Sequence, residues 1–164
     1  MITYLRFATP LGGMIAVAHD RELTHLDFTD SRNAPAIGAE WREDPRSPLL
    51  RECARQVTEY FEGRRRRFEL ALAPAGTPFQ RRVWNEIARV PWGQTISYAQ
   101  LAVGCGAPGS ARAAGAATGR NPLAIVVPCH RIVGSGGALT GYAGGVGRKA
   151  RLLALERADE QALA

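Results

Sequence analysis

The stretch SYAQLAVGCGAPGSARAAGAATG, residues 97–119, decides how the chain folds. Ser97 precedes a short apolar-periodic run and Gln100 follows it at the third helical position, which is a capping box: the hydroxyl accepts from a backbone N–H and the amide returns a bond to the cap. Gly104 ends that helix, CGAPG turns the chain, and Ser110 stands where a second N-cap belongs. Two short helices around a glycine-bearing turn have the spacing of a helix-turn-helix. The second helix is nearly bare: Ala111, Ala113, Ala114, Gly115, Ala116 and Ala117 leave Arg112 as its one long side chain. A helix that reads base edges in a major groove carries several polar side chains. This one is slim enough for a narrow minor groove, with Arg112 pushed into the stack, or else it packs closely on a neighbour with Arg112 in solvent. The residues alone leave both open.

Working outward, TPFQRRVWNEIARV, residues 77–90, repeats the capping device with Thr77, Pro78 and Gln80, and Phe79, Val83, Trp84 and Ile87 form its apolar stripe. Before it, Ile2 to Phe28 reads as two or three short antiparallel strands turning at TPLGG and HDREL. A polar, proline-bearing connection over 31–48 leads to a helix in LLRECARQVTEYFEG, where Leu49, Leu50, Cys53, Val57, Tyr60 and Phe61 recur at helical spacing. RRRRFELALA, residues 64–73, reads as a strand closing the sheet, and APAGT, 73–77, as a boundary. The expected fold class is therefore α+β. A small N-terminal antiparallel sheet with a helix occupies 1–74, and a mainly helical part containing the helix-turn-helix occupies 75–164.

At 164 residues the chain suffices for one sizeable core, or one domain with a small companion. No apolar run reaches membrane-spanning length, and the start MITYLRFATP lacks the basic and apolar blocks of a signal peptide, so the expectation is a cytoplasmic protein with no membrane partner. Cys53, Cys105 and Cys129 are too few for a disulfide framework and lack paired spacing, and His19 and His25 have no cysteine nearby. Free thiols, no metal and no cofactor are expected.

The net charge of +6 is unevenly spread. Residues 1–63 carry 7 arginines against 10 acidic groups, whereas residues 64–151 carry 13 basic groups against only Glu69 and Glu86. A basic face attracts phosphates regardless of base sequence, so nucleic acid is the first partner to consider. An arginine-rich composition is the blander account, since Lys149 is the only lysine.

IVVPCHRIV, residues 125–133, reads as a buried apolar strand ending at Pro128, with Cys129 and His130 at its tip. A free thiol is only about 3% ionised at neutral pH, so a nucleophilic Cys129 needs a base or a positive setting. Neighbouring side chains on extended backbone face opposite ways, so a bridging water or a bend at Pro128 would have to connect the pair.

Three blocks, TPFQRRVWNEIARVPWGQTISYAQLA, ARAAGAATGRNPLAIVVPCHRIV and LTGYAGGVGRKARLLALE, together resemble the O6-alkylguanine-DNA alkyltransferases, also called methylated-DNA–protein-cysteine methyltransferases. The resemblance runs ungapped through about half the chain, and N-P followed by P-C-H-R is its most specific part. It implies a ribonuclease-H-like α/β unit over 1–74 and a DNA-binding, alkyl-transfer unit over 75–164. Cys129 would accept the alkyl group from O6-alkylguanine, and from O4-alkylthymine too, as a stable thioether, so each molecule acts once. His130 would take the thiol proton through a water, Glu156 would orient and charge-balance the imidazole, and Asn121 would brace the turn.

The resemblance also assigns a DNA-facing set. Arg112 would fill the space left by a flipped nucleotide, Tyr98 would crowd the adjoining phosphate while its hydroxyl meets the base, and Ala111, Ala113 and Gly115 would allow close minor-groove approach. Tyr142 and the backbone N–H of Ala143 would meet the base, the carbonyls of Cys129 and Ile132 would receive its amino group, and Arg131 would join the DNA-binding residues. The partner is then double-stranded DNA bearing the lesion, bound by a monomer able to cluster on it. Two positions depart from several relatives: Ala143 where serine is found and Ala124 where proline is found. Both bear on bulky alkyl groups and free-base inhibitors. Cys53 and Cys105 read as passive core and turn residues, and GRRRR as a solvated charge run. The alternatives are a non-catalytic alkyltransferase-like lesion-binding protein, a plain helix-turn-helix regulator, or a Cys-His hydrolase. A present Cys129 opposes the first, and the barren second helix opposes the second.

Overall fold

The structure is a computed structural model that describes the backbone of residues 1–163 and side chains through Ala158. Three strands open it: β1 (Ile2–Thr9), β2 (Gly12–His19) and β3 (Glu22–Phe28). β1 and β2 pair antiparallel from Ile2↔His19 to Thr9↔Gly12, and β2 pairs antiparallel with β3 through a register shift at Val17/Ala18. β2 is central and buried from Met14 to Ala18, so both its faces are covered. Sheet order is β3-β2-β1-β4, where β4 (Arg42–Glu43) is a two-residue strand parallel to β1. The connection over 31–48 is thus not wholly irregular.

Helix α1 (Pro48–Phe61) packs on β1, β2 and β3, burying Leu50, Cys53, Val57 and Tyr60. The segment expected to close the sheet does so only at its end, where Leu23 donates to the Ala71 carbonyl and accepts from the Ala73 N–H. In 64–73 only Leu72 bridges to Leu23. The buried Gln56 amide explains this, because it donates to the Glu69 carbonyl (3.1 Å) and accepts from the Glu69 N–H (2.9 Å). Backbone groups a strand would offer to a ladder are spent on a helix side chain.

The second half contains α2 (Pro78–Ile87), β5 (Ile96–Ser97), α3 (Tyr98–Gly104), α4 (Ala111–Thr118), β6 (Ile132–Val133) and α5 (Val146–Leu163). Thr77 with Gln80 and Ser97 with Gln100 form the expected capping boxes. Ser110 occupies the N-cap of α4 but makes no capping bond, because φ −102° and ψ 36° are not the extended conformation that aims the hydroxyl at the first turn. α2, α3 and α4 pack together, and Trp84 Nε1 of α2 donates to the Ala117 carbonyl at 2.9 Å.

The apolar run 125–127 is a turn rather than a strand. Ile125 has φ 71°, which is costly for a β-branched residue. What imposes it is bonding on both sides. Leu26 of β3 receives from Ala124 N and donates to the Pro122 carbonyl, and Val127 N closes back on the Leu123 carbonyl. The loop is pinned to the first sheet, and Pro128 then leads into a 3₁₀ turn at Cys129–Arg131.

Candidate active site

Four segments meet around one cavity of about 120 Å³: the end of β3 with the loop after it, the N-terminus of α3, the C-terminal end of α4, and the Cys129 turn with the glycine-rich segment behind it. Its walls include Tyr98, Gly115, Asn121, Cys129, Tyr142 and Ala143, all anticipated from the sequence, together with Asp27, Arg32 and Asn33, which were not. Ala124 also lines it.

Asn121 braces the turn through three bonds. Its Nδ2 donates to the carbonyls of Val127 (2.8 Å) and Leu123 (3.4 Å), and its Oδ1 accepts from Leu123 N–H (3.0 Å). This holds the approach to Cys129 so that the thiol reaches the cavity wall. Burial pushes the Cys129 thiol up to about 11, against a smaller lowering by an Asn121 hydrogen bond. In the free protein Cys129 is therefore a thiol.

Behind Cys129 lies a fully buried ionic group. Glu156 of α5 and His130 have no exposed surface, and His130 Nε2 lies 2.7 Å from Glu156 Oε2. Arg131 grips the same carboxylate through Nε (2.8 Å) and Nη2 (3.0 Å) and donates from Nη1 to the Val90 carbonyl (2.7 Å). Tyr60 of α1 donates its hydroxyl to Glu156 Oε2 at 2.6 Å. Burial by itself would raise Glu156, but the hydrogen bonds of His130 and Arg131, with the Arg131 charge, outweigh it and hold the carboxyl at about 2. Burial lowers His130, against the pull of Glu156, so the ring is neutral at pH 7 and able to accept a proton. Its Nδ1 has no partner among the described residues.

One expected site role changes. Arg131 is buried in a bidentate pair with Glu156, so it does not face DNA; the chain needs its charge inside to keep Glu156 ionised. Ile132 is fully buried, and its carbonyl accepts from the Lys149 ammonium at 2.6 Å, which leaves that oxygen a second lone pair. Lys149 is itself buried and also donates to the carbonyls of Thr140 (3.0 Å) and Gly141 (3.3 Å), tying the glycine-rich segment to the Cys129 turn. The signal was in the sequence: a single lysine among arginines, chosen where a compact ammonium must meet several carbonyls. Gly144 sits where a Cβ would lie 2.8 Å from the Tyr142 ring and 3.2 Å from Phe28, so the ring is wedged against the cavity.

On the outer side, Arg112 and Ala113 of α4 are exposed and Ala111 is half-buried. Gly115 faces Tyr98, whose hydroxyl donates to the Thr140 carbonyl at 3.4 Å. Among the described residues no group of three His, Cys, Asp or Glu could hold a metal ion, and no helix is long and apolar enough to cross a membrane.

A cysteine at a cavity wall, backed by a buried His-Glu-Arg group and flanked by a bare helix, defines a class, and comparison with known proteins places the chain within it. Residues 2–74 match the ribonuclease-like domain of 6-O-methylguanine DNA methyltransferase, and residues 78–158 match its DNA binding domain. The chain belongs to the 6-O-methylguanine DNA methyltransferase family. It is 45% identical over 157 residues to a methylated-DNA–protein-cysteine methyltransferase of Mycolicibacterium paratuberculosis, covering 96% of this chain and 93% of that one. A protein of the same name from Methanosarcina barkeri is 44% identical, with 90% and 92% covered. The crystal structure of Mycobacterium tuberculosis OGT in complex with DNA superposes with a TM-score of 0.88 at 40% identity, covering 95% of this chain and 93% of that chain.

Proposed function

We propose that this chain repairs DNA by direct reversal, moving the alkyl group of O6-alkylguanine, and of O4-alkylthymine, irreversibly onto its own Cys129. The observation that carries the reading is the Cys129 thiol at the cavity wall in front of the buried His130–Glu156 pair. Residues 1–74 serve as the ribonuclease-H-like unit and 75–164 as the unit that binds DNA and accepts the alkyl group.

The step balances as a displacement. The Cys129 proton passes to the neutral His130 through a water, and the ionised Glu156 stabilises the imidazolium so formed. The thiolate attacks the alkyl carbon, a C–S bond forms, the C–O bond breaks, and its electron pair stays with guanine. The proton held by His130 returns to the base. A hydrogen bond from the Ala143 N–H to O6 makes guanine a tolerable leaving group. Because the thioether is stable, one molecule repairs one lesion.

Access to the alkyl carbon requires the nucleotide to leave the stack, at a cost of a few kcal/mol. We assign α3 and α4 as a helix-turn-helix lying in the minor groove, with Ala111, Ala113 and Gly115 allowing close approach, Arg112 filling the vacated space and Tyr98 crowding the phosphate. Support comes from the exposure of Arg112 on an otherwise bare helix and from the excess of basic residues in 64–151. The protein acts as a monomer that can cluster on DNA.

Intact-protein and peptide mass spectrometry after mixing with a duplex holding one O6-methylguanine tests this. One added methyl on the Cys129 peptide, and never a second, is expected. No added methyl, or one on Cys53 or Cys105, overturns the assignment.

A further inference from the structure

The buried group behind Cys129 has one member from the ribonuclease-like part of the chain. Tyr60 lies near the end of α1 and has no exposed surface. Its ring stands edge-on to Phe61 and Trp92, with centroids 5.3 Å away in each case, and tilted against Phe68 at 5.9 Å. That packing aims the hydroxyl at Glu156 Oε2 of α5, 2.6 Å away. The same oxygen lies 2.7 Å from His130 Nε2 and accepts from Arg131 Nη2 at 3.0 Å, whereas Oε1 accepts from Arg131 Nε. An ionised carboxylate only accepts, so the hydroxyl is the donor.

Three donors thus converge on one carboxylate oxygen. Because Glu156 is ionised, Nε2 of the neutral imidazole carries the hydrogen and donates to Oε2. Nδ1, without a partner among the described residues, is left as the nitrogen that takes a proton. The imidazolium so formed is stabilised by the charge density that Oε2 keeps for it. A hydroxyl donating to that oxygen draws density away, so Tyr60 and His130 compete for it. The other charged groups acting on His130 are Arg131 and Lys149, both of which oppose its protonation, and Tyr60 itself feels Glu156 and Arg131. His130 and Arg131 are what hold the carboxyl low against burial, so the hydroxyl is not needed to keep Glu156 ionised. What is left to it is the orientation of the carboxylate and the strength of its hold on the ring.

Resting on the alkyl-acceptor reading, we propose that Tyr60 is a positioning residue for the transfer step: its hydroxyl fixes the Glu156 carboxylate against His130 and, by sharing Oε2 with the imidazole, limits how strongly the resting ring holds a proton. A ring that is already protonated cannot take the thiol proton of Cys129. The bond therefore keeps the base free over a wider range of pH. It also gives residues 1–74 a part in the chemistry, since the hydroxyl belongs to α1.

The test uses two replacements in the full chain. Tyr60→Phe keeps the ring and its contacts, and 3-fluorotyrosine placed at position 60 is a stronger donor than tyrosine. The chain has three histidines, so the protonation of His130 can be followed by nitrogen-15 NMR after histidine labelling. The acid limb of the transfer rate is measured with the free base O6-methylguanine, which takes DNA binding out of the pH dependence. Tyr60→Phe should move both the limb and the His130 titration up by about half a unit to one unit. The fluorinated ring should move both down. A rate lowered equally at every pH, with the His130 titration unmoved, is what a merely structural contact gives and overturns the proposal, as does movement of the same sign in both proteins. If Tyr60→Phe does not fold, the direction taken by the fluorinated protein decides. Absence of transfer from a duplex holding O6-methylguanine to wild type overturns instead the alkyl-acceptor reading, whereas the His130 titration, read without any transfer, still tests Tyr60.

Discussion

Replacing Glu156 by glutamine removes one charge from a site where four side chains converge and keeps its volume. The wild-type carboxyl is held at about 2 against an ordinary value of 4.5. At 1.36 kcal/mol per unit, that difference amounts to about 3 kcal/mol of native-state preference for the ionised form. Removing it also leaves the Arg131 guanidinium buried without its counter-ion, which in other buried pairs costs about 3–5 kcal/mol. Glu156→Gln should therefore lose about 3 kcal/mol at pH 7.5, moving a urea midpoint down by roughly 1.5 M for a slope near 2 kcal/mol/M. The sign with pH follows from linkage. The carboxyl is depressed in the folded state, so its contribution is complete above its unfolded value and is lost as pH falls towards 2. The gap between the two proteins should already narrow by about 1 kcal/mol at pH 4. Urea unfolding of both proteins at pH 7.5 and pH 4 decides the matter. A gap under about 1 kcal/mol at pH 7.5, or one that does not move with pH, would refute the account of Glu156 as the ionised anchor of the buried group.

Arg112→Ala should slow methyl transfer from duplex DNA by tenfold or more while changing reaction with the free base O6-methylguanine little; equal slowing of both would remove Arg112 from nucleotide extrusion. Alkylation with iodoacetamide, followed by peptide mapping from pH 7 to 10, should label half-buried Cys105 first, Cys129 more slowly and Cys53 last. The reason is that burial pushes Cys129 up to about 11 and Cys53 to about 12. Faster labelling of Cys129 than Cys105 at pH 7 would mean that the resting thiol is already activated. Asp27→Asn should be more stable than wild type at pH 8 by up to about 3 kcal/mol. The folded carboxyl is raised to about 6, so its stabilising share is whole below 3.8 and lost as pH rises through 6. Thermal unfolding at pH 8 and pH 4 should show the gap closing at the lower pH, and an Asp27→Asn that is less stable at pH 8 would contradict the assigned burden.

Features written in neighbouring residues were legible. The capping boxes at Thr77 and Ser97 need only a hydroxyl and an amide at fixed spacing, and both formed as read. Ser110 has the right residue without the right backbone, and the difference lies in the turn before it, which propensity does not encode. The strand expected over 64–73 is cut to a bridge at Leu72, and the Glu69 backbone before it is taken up by the amide of Gln56, 13 residues upstream. Arg131 was misjudged for a similar reason. An arginine beside a reactive pair looks outward until its carboxylate partner, 25 residues away on another helix, is in place. Asp27 was invisible because its position on the cavity depends on Leu26 bonding the 122–124 backbone.

The bonds that cross between the two halves have a consequence for dissection. Arg32 N–H reaches the Ala143 carbonyl, Asn33 reaches Gly119, and Arg148 of α5 spans the Leu11 carbonyl, the Asp30 carboxylate and the Phe28 ring. The pocket wall is thus sewn from two pieces of chain, and neither piece carries a whole one. Severing the polypeptide between residues 73 and 77 would leave a reactive cysteine on a fragment whose cavity lacks its acidic side. Such fragments would regain the site only by finding each other again, as complementing halves do, and the smaller unit is a structural part of the reagent rather than a removable handle.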